Sequence, residues 1–211
     1  MEKSLDMYKI AVTGSAGSGK SVVCMRLKAL GLPVLSSDEL AREAVLPGMP
    51  AYKKIVAYFG KKILTDDGQL NRQLMREIIT KDNAAKKVLE GFVHPEIFSL
   101  MIKGMEDAQK NGSRVIVIEV PLLFELGMEE LFDLVILVSI DRDIQIKRLM
   151  ARDQVTSEGA EALLAIQMPE DKKIQKAGVI IRNSGTIDEM TQAVDGAYRD
   201  IVKAKETFKN S

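Results

Sequence analysis

The contiguous run Gly14, Ser15, Ala16, Gly17, Ser18, Gly19, Lys20 and Ser21 constrains this chain more than any other feature. It matches G-x-x-x-x-G-K-[ST] at every fixed position. The β-prone run Tyr8–Thr13 leads into it, and residues 19–30 follow with Val23, Leu27 and Leu30 at helical spacing. A strand, a glycine-rich loop and a helix in that order make a cradle for phosphate. Glycines let the backbone aim its N–H groups at phosphate oxygens, and the helix adds its positive N-terminal end. Lys20 is placed to bridge β- and γ-phosphates, and the Ser21 hydroxyl to ligate Mg²⁺. A glycine-rich turn that matches by accident would lack this flanking strand and helix. The motif alone does not separate kinases, GTPases and ATP-driven machines.

Further β-prone runs at residues 34–35, 114–120, 134–140 and 179–181 alternate with helical stretches. That alternation predicts an α/β fold with a parallel five-stranded sheet. The run at 134–140 is nearly all apolar, as a strand covered on both faces requires. Between the second and third strands the texture changes. Residues 52–108 carry helical periodicity almost throughout, broken at Gly60 and at Asp66-Asp67-Gly68. Leu74, Met75, Ile78 and Ile79 form one apolar stripe; Ile97, Leu100, Met101, Met105 and Ala108 form another. A helical insertion into the core is expected here. The last helix, 187–202, carries Ile187, Met190, Val194, Ala197 and Ile201, and the polar tail after Lys203 is expected to fray.

Lys plus Arg and Asp plus Glu are each 30, so the net charge is zero. A neutral chain is poorly suited to a long polyanion, which argues against a nucleic-acid partner; an anion site must be local. Cys24 is the single cysteine, which excludes an internal disulfide and a CxxC zinc pair, and it reads as a small core residue. Residues 1–7 lack the basic and apolar regions of a secretory leader, and no run is long and apolar enough to cross a membrane. A soluble, cytoplasmic protein without membrane association or an obligate protein partner is the expectation.

A GTPase would carry an Asp-x-x-Gly switch and an Asn-Lys-x-Asp guanine reader, and neither occurs. The third strand ends Ile118-Glu119-Val120-Pro121, without the clear acidic motif of an ATP-driven machine. A small-molecule kinase fits better; it needs a base beside the acceptor hydroxyl and an arginine-bearing lid. Asp38 lies just past the second strand, at the carboxyl edge of a parallel sheet, where it can serve as that base or as a helix-start acid. Arg148 and Arg152 are four apart and share a helix face, with Ile146, Leu149 and Met150 on the buried side. Two guanidiniums so placed are either a phosphate clamp or a solvated basic face.

Several separated segments resemble the dephospho-CoA kinase family. They are the P-loop, residues 37–42 (SDELAR), Phe59-Gly60, residues 67–72 (DGQLNR), His94-Pro95, residues 121–125 (PLLFE), the Gln145…Arg148…Arg152-Asp153 stretch, Gln167, and Asn183-x-Gly185. The resemblance implies a P-loop kinase core of residues 1–49, 111–140 and 170–211, a helical substrate-binding domain of 50–110, and a helical lid of 141–169. It implies ATP and dephospho-CoA as substrates, with Mg²⁺ held at Ser21. Catalytic roles fall on Asp38, Lys20, Arg148 and Arg152. ATP binding falls on Gly14, Ala16, Gly17, Ser18, Gly19, Lys20, Ser21, Val22 and, near the adenine, Asn183. Acceptor contacts fall on Arg72, His94, Pro121, Leu122, Leu123 and Phe124. The chain departs from the family pattern at Ser36, where an Asp is usual, and at Gly178, where the usual Ala-Asp reads Ala177-Gly178. A related kinase of a nucleoside, nucleotide or sugar-like acceptor, and a nucleotide-binding regulatory protein without turnover, remain alternatives at this point.

Overall fold

The structure is a computed structural model that describes residues 7–208, with side chains through Val202. The leader reading for the first residues therefore lies largely outside the described residues. The chain divides into two compact units, Met1–Leu35 with Ala108–Ser211, and Ser36–Asp107.

The first unit is built on the strands β1 (Tyr8–Thr13), β2 (Val34–Ser36), β3 (Val115–Glu119), β4 (Leu134–Ser139) and β5 (Val179–Arg182). They form one sheet in the order β2-β3-β1-β4-β5, with β1 at its centre. β1 pairs in parallel with β3 (Val12 beside Glu119) and with β4 (Thr13 beside Leu137), while β4 pairs with β5. Both faces are apolar, as parallel strands require. Ile10, Val12, Val117, Ile136 and Val138 pack against α1 (Lys20–Ala29) and the last helix, α9 (Ile187–Phe208), through Val23, Leu27, Met190 and Val194. The opposite face, carrying Ala11, Ile116, Ile118 and Leu137, is equally buried. Arg26 and Asp195 join α1 to α9 through two parallel bonds of 2.7 and 2.8 Å.

The ends of this core differ from the periodic reading. Leu30 is the C-cap of α1 and only partly buried; its place in the core is taken by Cys24. Ile187 opens α9 with 75% of its surface exposed, because a first-turn residue lies beyond the sheet it would cover. α9 also runs past Lys203 to Phe208 rather than ending there.

In the second unit, α2 (Ser37–Glu43), α3 (Pro50–Phe59), α4 (Arg72–Lys81) and α5 (Asn83–Lys110) follow one another. α3 opens on Pro50, whose fixed φ suits a first helical position, and closes at Gly60, φ 78°. Ile55, Ile63 and Met75 form its core, with Phe59, Leu74, Ile78 and Phe92 packed around them. The break between α4 and α5 was not evident in the periodicity. It falls at Asp82, whose carboxylate accepts from the N–H groups of Ala84 and Ala85 at 2.8 and 3.0 Å and starts a new helix. Pro95 sits inside α5 without ending it.

Candidate active site

The P-loop joins β1 to α1. Gly19 is the N-cap of α1 in left-handed conformation, φ 92° and ψ 24°, so the loop enters the helix with its first-turn N–H groups turned outward. Lys20 Nζ donates to the carbonyls of Gly14 (2.8 Å) and Ser15 (3.2 Å), which lays its side chain across the loop. Ser18 is fully buried, whereas Ser21 and Val22 are exposed at the start of the helix.

Asn183, at the end of β5, is buried and donates its side-chain amide to the Ser18 carbonyl at 2.7 Å. Its Nδ2 would lie 2.2 Å from a Cβ built on Gly19, and Arg148 Nη1 would lie 3.8 Å from the same point. Asn183 is thus committed to the loop backbone itself, and Arg148 reaches the loop from α6 (Arg142–Asp153). Arg152 does not join it. It is well exposed and forks onto the neighbouring Asp153 through bonds of 2.7 and 2.8 Å, which hold the Asp153 carboxyl below its ordinary range. The buried face of α6 also differs from the sequence reading: Gln145 and Leu149 are buried, while Met150 is exposed. The helix turns toward the P-loop, where a polar Gln145 has partners and Met150 would have none.

α7 (Ser157–Ala165) contributes Ala160 and Leu164, which pack with Leu149 against Ala16. The backbone of Ala16 is then occupied on both sides. Its N–H donates to Gln167 Oε1 (3.1 Å) and its carbonyl accepts from Gln145 Nε2 (2.7 Å). The Ala16 N–H, one of the groups assigned to ATP, is engaged by Gln167 in this structure.

Residues 121–125 follow β3. Leu123 and Phe124 are buried, at 0% and 3% exposure, and act as packing residues; Pro121 and Leu122 are the open members. Glu125 turns inward. Its Oε1 accepts from the Met168 N–H (2.8 Å) and pairs with Lys173 Nζ (2.9 Å), a lysine on α8 (Glu170–Lys176) with no exposed surface. Burial pushes the Glu125 carboxyl up, but the bonds from Lys173 and Met168 outweigh it and leave it below its ordinary range. Glu119, at the end of β3, is a further carboxylate that the sequence reading passed over; its charge and that of Lys20 both act on Cys24.

In the second unit, Asp38 is exposed in the first turn of α2. The cap is Ser36, whose hydroxyl accepts from the Glu39 N–H at 3.4 Å, so Asp38 is not needed to start the helix. Ser and Asp cap helices about equally well, which gives the Ser36 departure a local rationale. Arg72 is exposed at the first position of α4, and His94 is exposed in mid-helix on α5. Gly178 abuts β4: a Cβ there would lie 2.9 Å from Leu134 Cδ1, at the tip of a flexible side chain.

Among the described residues there is no cluster of three or more His, Cys, Asp or Glu able to hold a metal by itself, and no helix long and apolar enough to cross a membrane. Hard oxygen donors suited to Mg²⁺ are nonetheless present in the exposed Ser21 hydroxyl and the Glu119 carboxylate.

Comparison with known proteins agrees with this geometry. A dephospho-CoA kinase from Moorella thermoacetica is 40% identical over 196 residues, covering 92% of each chain. Among solved structures, TT1252 from Thermus thermophilus superposes with a TM-score of 0.77 at 29% identity, over 92% of this chain and 97% of that one. Dephospho-CoA kinase from Campylobacter jejuni superposes with a TM-score of 0.70 at 30% identity, over 93% of this chain and 98% of that one. The model of the CoaE family, described as dephospho-CoA kinase, matches residues 8–189, from the first residue of β1 into α9. With the phosphate cradle, the sheet order and this match in agreement, the chain belongs to the dephospho-CoA kinase family.

Proposed function

We propose that the chain transfers the γ-phosphoryl group of ATP to the ribose 3′-hydroxyl of dephospho-CoA, giving coenzyme A and ADP. The observation that carries this reading is the family match over residues 8–189, which takes in a fully assembled P-loop. In the transfer, the acceptor oxygen forms a bond to the γ-phosphorus while the bond to the β,γ-bridging oxygen breaks, and ADP leaves with that oxygen. The 3′-hydroxyl proton passes to Asp38, an exposed carboxylate that the Ser36 cap leaves available. Lys20 and the first turn of α1 bind the phosphates, and Arg148 offsets the charge on the transferring group. Arg152 joins only by exchanging Asp153 for phosphate. Arg72, His94, Pro121 and Leu122 are the acceptor contacts that the exposure pattern supports.

Ser21 with Glu119 would hold Mg²⁺, which when bound would offset the negative charge of the phosphates. The helical unit serves as the acceptor domain and residues 141–169 as the lid. We place the reaction in the cytoplasm, with ATP and dephospho-CoA as partners.

The test is a coupled assay of ADP release with Mg²⁺-ATP and dephospho-CoA, run beside a panel of nucleosides and nucleotides. Turnover is expected with dephospho-CoA. Background rates there with turnover on another acceptor, or ATP binding without turnover of any acceptor, would overturn the assignment.

A further inference from the structure

Among the described residues, the most unusual buried group lies outside the P-loop motif. Lys173 has no exposed surface, although lysine is a flexible, strongly hydrated cation that is almost never fully buried unless paired. Its partners define a continuous chain of contacts. The Met168 N–H and Lys173 Nζ both donate to Glu125 Oε1, at 2.8 and 2.9 Å. The same ammonium donates to the Ser15 hydroxyl at 3.2 Å, and that hydroxyl donates to Glu170 Oε2 at 3.2 Å. Ser15 belongs to the P-loop, Glu125 to the turn after β3, Met168 to the segment before α8, and Glu170 and Lys173 to α8.

A buried ion pair is a weak stabiliser, since apolar groups of the same volume often serve as well. Its directionality is another matter: an ammonium fixed on Glu125 can orient the one hydroxyl beside it. Ser15 is next to Ala16, whose N–H and carbonyl are held by Gln167 and Gln145. The first two variable positions of the loop are therefore anchored by side chains from outside it, and Ser18 is held as well, its N–H donating to the Ser15 carbonyl at 3.1 Å and its carbonyl accepting from Asn183.

We propose that Lys173 is a positioning residue for phosphoryl transfer, holding Ser15, and through it the P-loop, in its phosphate-binding shape. This rests on the proposed kinase function only for its catalytic consequence; nucleotide binding alone tests it. A loop released from the clamp spends less time in the competent shape, and apparent affinity falls in proportion to that fraction.

Two variants separate positioning from stability. Ser15→Ala removes the loop end of the contact and keeps the Lys173–Glu125 pair. The double variant Lys173→Met with Glu125→Gln removes both charges of that pair together, so neither is left facing a missing partner. ATP affinity is measured by titration calorimetry with Mg²⁺ and no acceptor, next to a thermal melt of each protein. Ser15→Ala should raise the ATP Kd by about tenfold while the melting temperature barely moves, and the double variant should show a loss at least as large. An ATP Kd for Ser15→Ala within about twofold of the parent would overturn the proposal, whatever the double variant does. Failure of the acceptor assignment would instead appear as normal ATP binding in the parent without turnover of dephospho-CoA.

Discussion

Gly14→Ala is the substitution whose consequence the structure defines most sharply. Gly14 has φ +152°, and a Cβ built on it lies 2.4 Å from the Val138 carbonyl oxygen and 2.7 Å from Ser18 Oγ. Ordinary contact begins near 3.4 Å, so something must move by about 1 Å. The oxygen cannot give way, because β4 is held between β1 and β5 on both sides. The loop has to move instead, carrying the phosphate cradle with it. Backbone strain and overpacking together cost about 3 kcal/mol, which lowers the melting temperature by roughly 6–12 °C in a chain of this size. Gly31→Ala is the control. Gly31 also has positive φ, +92°, but nothing lies within 4 Å of its Cβ position. It should lose only about 1 kcal/mol, or roughly 2–4 °C. Thermal melts and ATP titrations of both variants make the comparison, with the ATP Kd of Gly14→Ala rising by about tenfold or more. If Gly14→Ala melts within about 2 °C of Gly31→Ala and binds ATP within about twofold of the parent, the reasoning fails.

Asp38→Ala should reduce transfer by about 10²–10⁴-fold while ATP affinity stays nearly intact; a large loss of ATP binding would contradict its role as base. Cys24 is buried, and burial first, then the Glu119 charge, pushes its thiol up to about 12 against the opposing effect of Lys20. A disulfide reagent at neutral pH should leave the native protein unlabelled and modify the thiol only in denaturant; rapid labelling of the native protein would show the site to be open. The Glu125 carboxyl lies below its ordinary range in the folded chain, so its contribution is present above about pH 4.3 and lost as pH falls through the folded value. Between about pH 5 and 3 the melting temperature of Glu125→Gln should therefore fall less steeply than that of the parent. Equal slopes would mean that Glu125 carries no depressed pKa.

Features that depend on neighbouring residues were legible in the sequence. The phosphate cradle is a contiguous run between an apolar strand and a helix, so its conformation follows from local glycine and helix-end physics. The alternation of strands and helices determined a parallel sheet, and Gly60 marked where α3 stops. Periodicity misplaced the faces where tertiary contacts outweigh it. Met150 belongs to the apolar pattern of α6 yet faces solvent, whereas the polar Gln145 is buried because the Ala16 carbonyl awaits it. The cap at Asp82 lies within a continuous helical pattern and shows no change of period.

The rest could be decided only in three dimensions. Ser15 and Lys173 are 158 positions apart, and Ser18 and Asn183 are 165 apart. No spacing rule links such residues. Asn183 meets Ser18 because β5 is carried beside β1 by β4, which brings the residue that follows β5 to the loop; Lys173 reaches Ser15 from α8, the helix that precedes β5. An exposed Lys173 and a buried Lys173 read identically in the sequence. Burial of Lys173 and Asn183 beside the loop turns a generic phosphate motif into a held one, because polar groups removed from water must find partners and Ser15 and Ser18 supply them.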